Sequence, residues 1–108
     1  MPPVAVAPVY LSCTIEKVNG PLPVQVTVDE ANQEVTMDIP ASQYSPAAQA
    51  FRAPATFSAK SVTFGRELYG NKTVYTISRV HLSLTEQMPL GVVNQGKCTI
   101  QKLEHRAF

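Results

Sequence analysis

The residues of this chain that could carry chemistry are two histidines, one group of carboxylates and two cysteines. His81 follows Arg79 by two positions in a stretch of alternating Val, Leu and Ser. An imidazole acts as a general base only when a partner orients it and a nucleophile lies in reach. Serine is plentiful, but no Gly-x-Ser-x-Gly elbow presents one. Asp29, Glu30, Glu34 and Asp38 gather around a single turn. Calcium takes six to eight oxygens, yet the spacing is not that of an EF-hand and Asp38 alternates outward along a strand, so a solvated polar face accounts for them. His81 and His105 stand at no zinc-ligand spacing from each other or from the cysteines. The reading is therefore of a protein that is not an enzyme and holds no cofactor or metal.

Binding is the alternative to catalysis, and three residues are candidates for contact with a partner: Tyr69, Arg79 and His81. Tyr69 stands in a turn-rich loop, Arg66–Lys72, where an aromatic can anchor a partner. Arg79 places a charge among β-branched neighbours, which marks either a binding face or an ion pair with a carboxylate of the acidic turn. Asn71-Lys72-Thr73 matches a glycosylation triplet, but an Asn in a hairpin turn needs no such reason. Nine Lys and Arg against eight Asp and Glu leave a net charge of +1, with the basic residues scattered, which argues against nucleic acid. No apolar run reaches the roughly 20 residues of a membrane-spanning helix.

The elements that must position these residues are strands. Val24, Val26 and Val28 alternate with polar residues, as do Val35, Met37 and Ile39, and the polar segment between them makes a hairpin. A first strand is expected over Val9–Val18 and others over Thr56–Phe64 and Lys97–Leu103. A long strand is expected over Thr73–Leu84, with a β-bulge near Ser78–Val80, because its apolar positions switch from odd to even numbers. Pro40–Pro54 and Gln87–Gln95 read as loops. Ser45-Pro46 and the alanines after it allow one short helix within 45–52. The fold class is all-β: a small antiparallel barrel or sandwich of 6–7 strands. Residues 9–103 form a single β domain, preceded by a flexible segment over 1–8 and followed by a tail over 104–108.

Cys13 falls in the first expected strand and Cys98 in the last, each on the apolar face. A barrel brings those strands together, so a disulfide fits the geometry. Closing so long a loop contributes roughly 4–5 kcal/mol in the chain-entropy model. The other reading is two reduced, buried cysteines acting as small hydrophobes. Residues 1–8 lack the basic and long apolar regions of a signal peptide. Either the protein is cytoplasmic or a signal peptide has been removed from it; the cysteine pair favours the second, which gives the expectation of a periplasmic or secreted protein.

Ser12-Cys13-Thr14, Val26-Thr27-Val28-Asp29-Glu30-Ala31, Val62-Thr63-Phe64, Tyr75-Thr76-Ile77-Ser78-Arg79 and Gly96-Lys97-Cys98 together resemble small uncharacterised secreted or periplasmic proteins of proteobacteria that pair an early and a late cysteine around a β core. The resemblance implies compartment and fold, and no activity. Gly70-Asn71-Lys72-Thr73-Val74-Tyr75 is also loosely similar to a loop of small periplasmic lysozyme inhibitors. The expected function is a non-enzymatic binding or structural module of the bacterial envelope, facing an unknown protein or envelope component, as a monomer or weak dimer. The alternatives are a small-molecule carrier with a lipocalin-like interior, or a periplasmic inhibitor of a hydrolase such as lysozyme.

Overall fold

The computed structural model describes residues 7–18, 20–41, 48–68 and 70–101. Eight strands follow one another: β1 Val9–Lys17, β2 Gly20–Asp29, β3 Glu34–Ile39, β4 Gln49–Phe57, β5 Ser61–Leu68, β6 Asn71–Ser78, β7 Ser83–Gln87 and β8 Val93–Gln101. Each pairs antiparallel with the next, and β8 pairs back onto β1, so the sheet closes into an up-and-down barrel. The alternation of the sequence sets the inner face. Cys13 and Ile15 of β1, Val24 and Val26 of β2, Val35 and Met37 of β3, and Leu84 of β7 are all essentially inaccessible. Fully burying a side chain of this kind contributes about 1.5–3 kcal/mol.

The barrel closes at its first and last strands. Cys13 and Cys98 are directly opposed across β1 and β8 with their Cα atoms 4.0 Å apart, and they form a disulfide. The Cys98 amide donates to the Leu82 carbonyl on the other side of β8, which leaves the pair free of ladder bonds between themselves. Two residues earlier in β8, Gly96 faces inward between Ile15 and Leu84. A Cβ there would lie 2.6 Å from the Thr14 carbonyl oxygen, so only glycine lets β1 and β8 approach this closely.

Several expectations are corrected. Thr73–Leu84 is not one bulged strand but parts of two, β6 and β7, joined by a tight turn at Arg79–Leu82. The Leu82 amide donates to the Ser78 carbonyl, and the Ser78 hydroxyl accepts from the amides of Val80 and His81. A reversal shifts the inward set from odd to even positions as a bulge would, so periodicity does not separate the two. Thr56–Phe64, expected as one strand, is likewise divided between β4 and β5 by a turn at Ser58–Lys60, and the two extra reversals raise the count from the expected 6–7 strands to eight. Of the helix expected over 45–52, residues 49–52 are strand, the start of β4, and 45–47 lie outside the described residues. The loop expected over Gln87–Gln95 is shorter, because β8 begins at Val93.

Candidate functional site

The two ends of the barrel differ. At one end, four inward positions in a row of cross-strand partners run Phe64, Tyr75, Glu86 and Asn94. Glu86 is 4% exposed, the one buried charged residue among those described. Lys17, at the end of β1, reaches across and pairs with it. The Asn94 side-chain amide donates to the same carboxylate at 3.0 Å and lies 3.5 Å from the Met88 sulfur. Burial alone would raise the Glu86 pKa. Hydrogen bonds from Lys17, Tyr75 and Asn94, with the Lys17 charge, outweigh it and hold the carboxyl below its ordinary value. Burial pushes the Tyr75 hydroxyl well above its ordinary range, the Glu86 charge adds to that, and Arg66 opposes it. Tyr75 also stacks on Phe64 at 5.1 Å, and the Arg66 guanidinium lies 4.8 Å from the centre of the Phe51 ring. Buried side-chain nitrogens and oxygens among the described residues all have partners. This end is a satisfied polar plug. Glu86 is thus held as the carboxylate and Tyr75 as the neutral phenol at neutral pH.

At the opposite end, Arg79 follows β6 and Glu30 follows β2. The two guanidinium nitrogens reach the two Glu30 oxygens at 3.2 and 2.8 Å, and one also donates to the Ser58 carbonyl at 2.9 Å. One bidentate pair thus ties together the β2–β3, β4–β5 and β6–β7 turns. Beneath it lies a cavity of about 180 Å³, walled chiefly by Leu11, Val28, Val62, Ile77, Leu82 and Ile100. Leu82 has φ +56, an uncommon conformation for a bulky residue.

Beside the polar plug, the β7–β8 connection carries an apolar tip. Met88, Leu90, Val92 and Val93 are all exposed, Leu90 completely, and Leu90 is held at φ +67 ahead of Gly91 at φ +77. Val18, in the β1–β2 turn at the same barrel end, is 98% exposed.

Of the residues singled out in the sequence, Cys13 and Cys98 meet. Arg79 takes the ion-pair role with the acidic turn. His81 is exposed in the β6–β7 turn, where its backbone amide is bonded to Ser78. Tyr69 lies outside the described residues. The acidic group does not converge. Glu30 pairs with Arg79, Glu34 approaches Arg52 at 3.7 Å, and Asp29 accepts from Asn32. Among the described residues no three His, Cys, Asp or Glu side chains are grouped as a metal would need. Sequence reasoning misses the polar plug and the Leu90 tip. Lys17 does extend the inward series Cys13, Ile15, and Glu86 follows Leu84 by two, so alternation carries a signal for the plug.

Comparison with known proteins adds no relative: no family model, no curated protein and no solved structure matches the chain.

Proposed function

We propose that the chain is a non-enzymatic binding module of the bacterial envelope, and that it docks a protein or other envelope component through the barrel end bearing Leu90. The observation that carries this reading is Leu90 itself, a large apolar side chain fully exposed in a backbone conformation that costs energy. Such a combination clusters where a strained, projecting residue serves binding. It stands on a closed, disulfide-bonded scaffold, the kind of support from which a loop binds with little loss of freedom. The disulfide fits an oxidising compartment, and the resemblance to small periplasmic proteins points the same way. An inhibitor of a hydrolase such as lysozyme would be one form of this activity.

A photo-crosslinking residue at position 90, in chain exported to a bacterial periplasm, is expected to form discrete adducts with envelope proteins. The same residue at position 97, on the barrel wall, should form none. Equal labelling from both positions, or none from either, would remove the reading. The second reading, a small-molecule carrier, is favoured by a separate observation: the apolar cavity at the other barrel end.

A further inference from the structure

We infer that the cavity beneath the Arg79–Glu30 pair is a binding site for a small neutral apolar molecule, the size of one aromatic ring or a short aliphatic chain. The inference rests on the carrier reading and is independent of docking through Leu90.

Register supplies the first argument. Val9 and Ile100 occupy inward positions, in line with Leu11 and Cys98, yet they are 39% and 55% exposed. Elsewhere in the barrel, inward apolar residues such as Val24 and Met37 are inaccessible. The inner face is therefore covered along the body of the barrel and left uncovered, among the described residues, at this end. Size supplies the second. A volume of about 180 Å³ exceeds the roughly 150 Å³ in which an enclosed apolar cavity takes up benzene, so one ring fits, and the exposed Val9 and Ile100 leave it a way in from solvent. Wall chemistry supplies the third. The polar residues here, Glu30, Ser78 and Arg79, stand where strands pass into turns rather than within the apolar wall, so the wall presents little to hydrogen-bond a polar guest. Charge fixes the class of ligand. Arg79 would attract a carboxylate, but Glu30 already neutralises it through two bonds. An incoming anion would face the Glu30 carboxylate as much as the guanidinium, so a neutral ligand fits and a fatty-acid-like anion does not.

The test uses benzene as the probe on the oxidised full chain, followed by carbon-13 methyl NMR. Saturable shifts are expected at Leu11, Val28, Val62, Ile77, Leu82 and Ile100, with Val24 and Ile39 unmoved. The dissociation constant should be on the order of 1 mM, as burial of about six carbons implies. Val62→Phe, which fills the cavity, should weaken binding at least about tenfold. Ile100→Phe repeats the test from an exposed wall position if Val62→Phe does not fold. Hexan-1-ol should bind and hexanoate should not, and Glu30→Gln should let hexanoate in by freeing Arg79. Absent shifts at saturating benzene, shifts spread evenly through the core, undiminished binding in both filled variants, or hexanoate preferred by the unaltered chain would each overturn the inference. None of these outcomes alters crosslinking from position 90, so the two readings fail separately.

Discussion

The two ends of this barrel solve the same problem in opposite ways. A closed sheet has no edges but two open mouths, and each must be sealed against water. One mouth is filled with Lys17, Glu86, Tyr75 and Asn94, their buried side-chain nitrogens and oxygens all partnered. The other keeps an apolar interior and places its ion pair above it, between turns, where Arg79 and Glu30 are each more than a third exposed. The same residue types therefore carry different weight. A buried pair cannot lose one member cheaply, because the remaining charge stays out of water. A rim pair is screened, and losing it matters little. The polar end is filled and fixed by its own bonds. The apolar end keeps a cavity of about 180 Å³ lined mainly by aliphatic side chains.

The largest expected effect abolishes the comparison by loosening both ends together. Cys13–Cys98 joins β1 to β8, the seam that makes the sheet a closed surface. Replacing both cysteines with Ala should cost about 4–5 kcal/mol in unfolding free energy, measured with urea, since the bridge closes a loop spanning most of the chain. A loss below about 1 kcal/mol would mean that the strand ladder alone holds the seam.

Next comes the polar end. Glu86→Ala should cost about 3 kcal/mol, because Lys17, Asn94 and the Tyr75 hydroxyl would lose their shared partner. The double variant Lys17→Met, Glu86→Leu should recover most of that loss, which a double-mutant cycle would read directly. The same carboxylate makes this end acid-sensitive. Its pKa is lowered on folding, so its stabilisation is complete above the ordinary value of 4.5 and disappears as pH falls through the lower folded value. Unfolding free energies between pH 7 and pH 3 should therefore fall more steeply for the unaltered chain than for Glu86→Gln. Parallel curves would show that Glu86 does not drive the acid response.

How much of this is legible in the sequence depends on which signal each element sends. The hairpin of β2 and β3 alternates cleanly over Val24–Ile39, and the alternation alone predicts it. The cysteine pair is legible as a bridge because alternation puts both residues on inner faces of the first and last strands. The β6–β7 reversal is not legible, because Ser78-Arg79-Val80-His81-Leu82 contains neither Gly nor Pro. Its turn is held by the Ser78 hydroxyl and by Leu82 in a left-handed conformation, neither of which composition announces. β4 is hidden by the Ala and Pro of Gln49–Phe57, where closure of the barrel overrides weak strand propensity. The plug is hidden by the general rule that charged residues face outward. Lys17 and Glu86 lie on the inner face by strict alternation, and only the partner each finds across the barrel makes that position tenable.

A smaller effect sharpens the contrast between the ends. Arg79→Ala should cost only about 0.5–1 kcal/mol, well under the loss from Glu86→Ala, although both remove one member of an ion pair. Each pair joins distant parts of the chain, so the two differ chiefly in burial and in the further bonds each makes. If Arg79→Ala proved equally costly, then tying three turns together, rather than burial, would set the scale. The apolar end would then be held no less firmly than the polar one.

The smallest effect has the opposite sign. Leu90 sits at φ +67 with its side chain in water, so it gives no packing in return for its backbone. A left-handed conformation costs a residue with a Cβ about 1 kcal/mol that glycine does not incur, although glycine gives back part of this through its freer unfolded chain. Leu90→Gly should therefore raise unfolding free energy by about 0.5 kcal/mol, a shift best read as a small rise in thermal midpoint. A gain in stability accompanied by loss of envelope adducts, with the crosslinker moved to the neighbouring position 92, would mean that the strain at Leu90 is maintained for docking. A gain with the adducts intact would place docking elsewhere on the tip, with Val18 and Val92 the next residues to change.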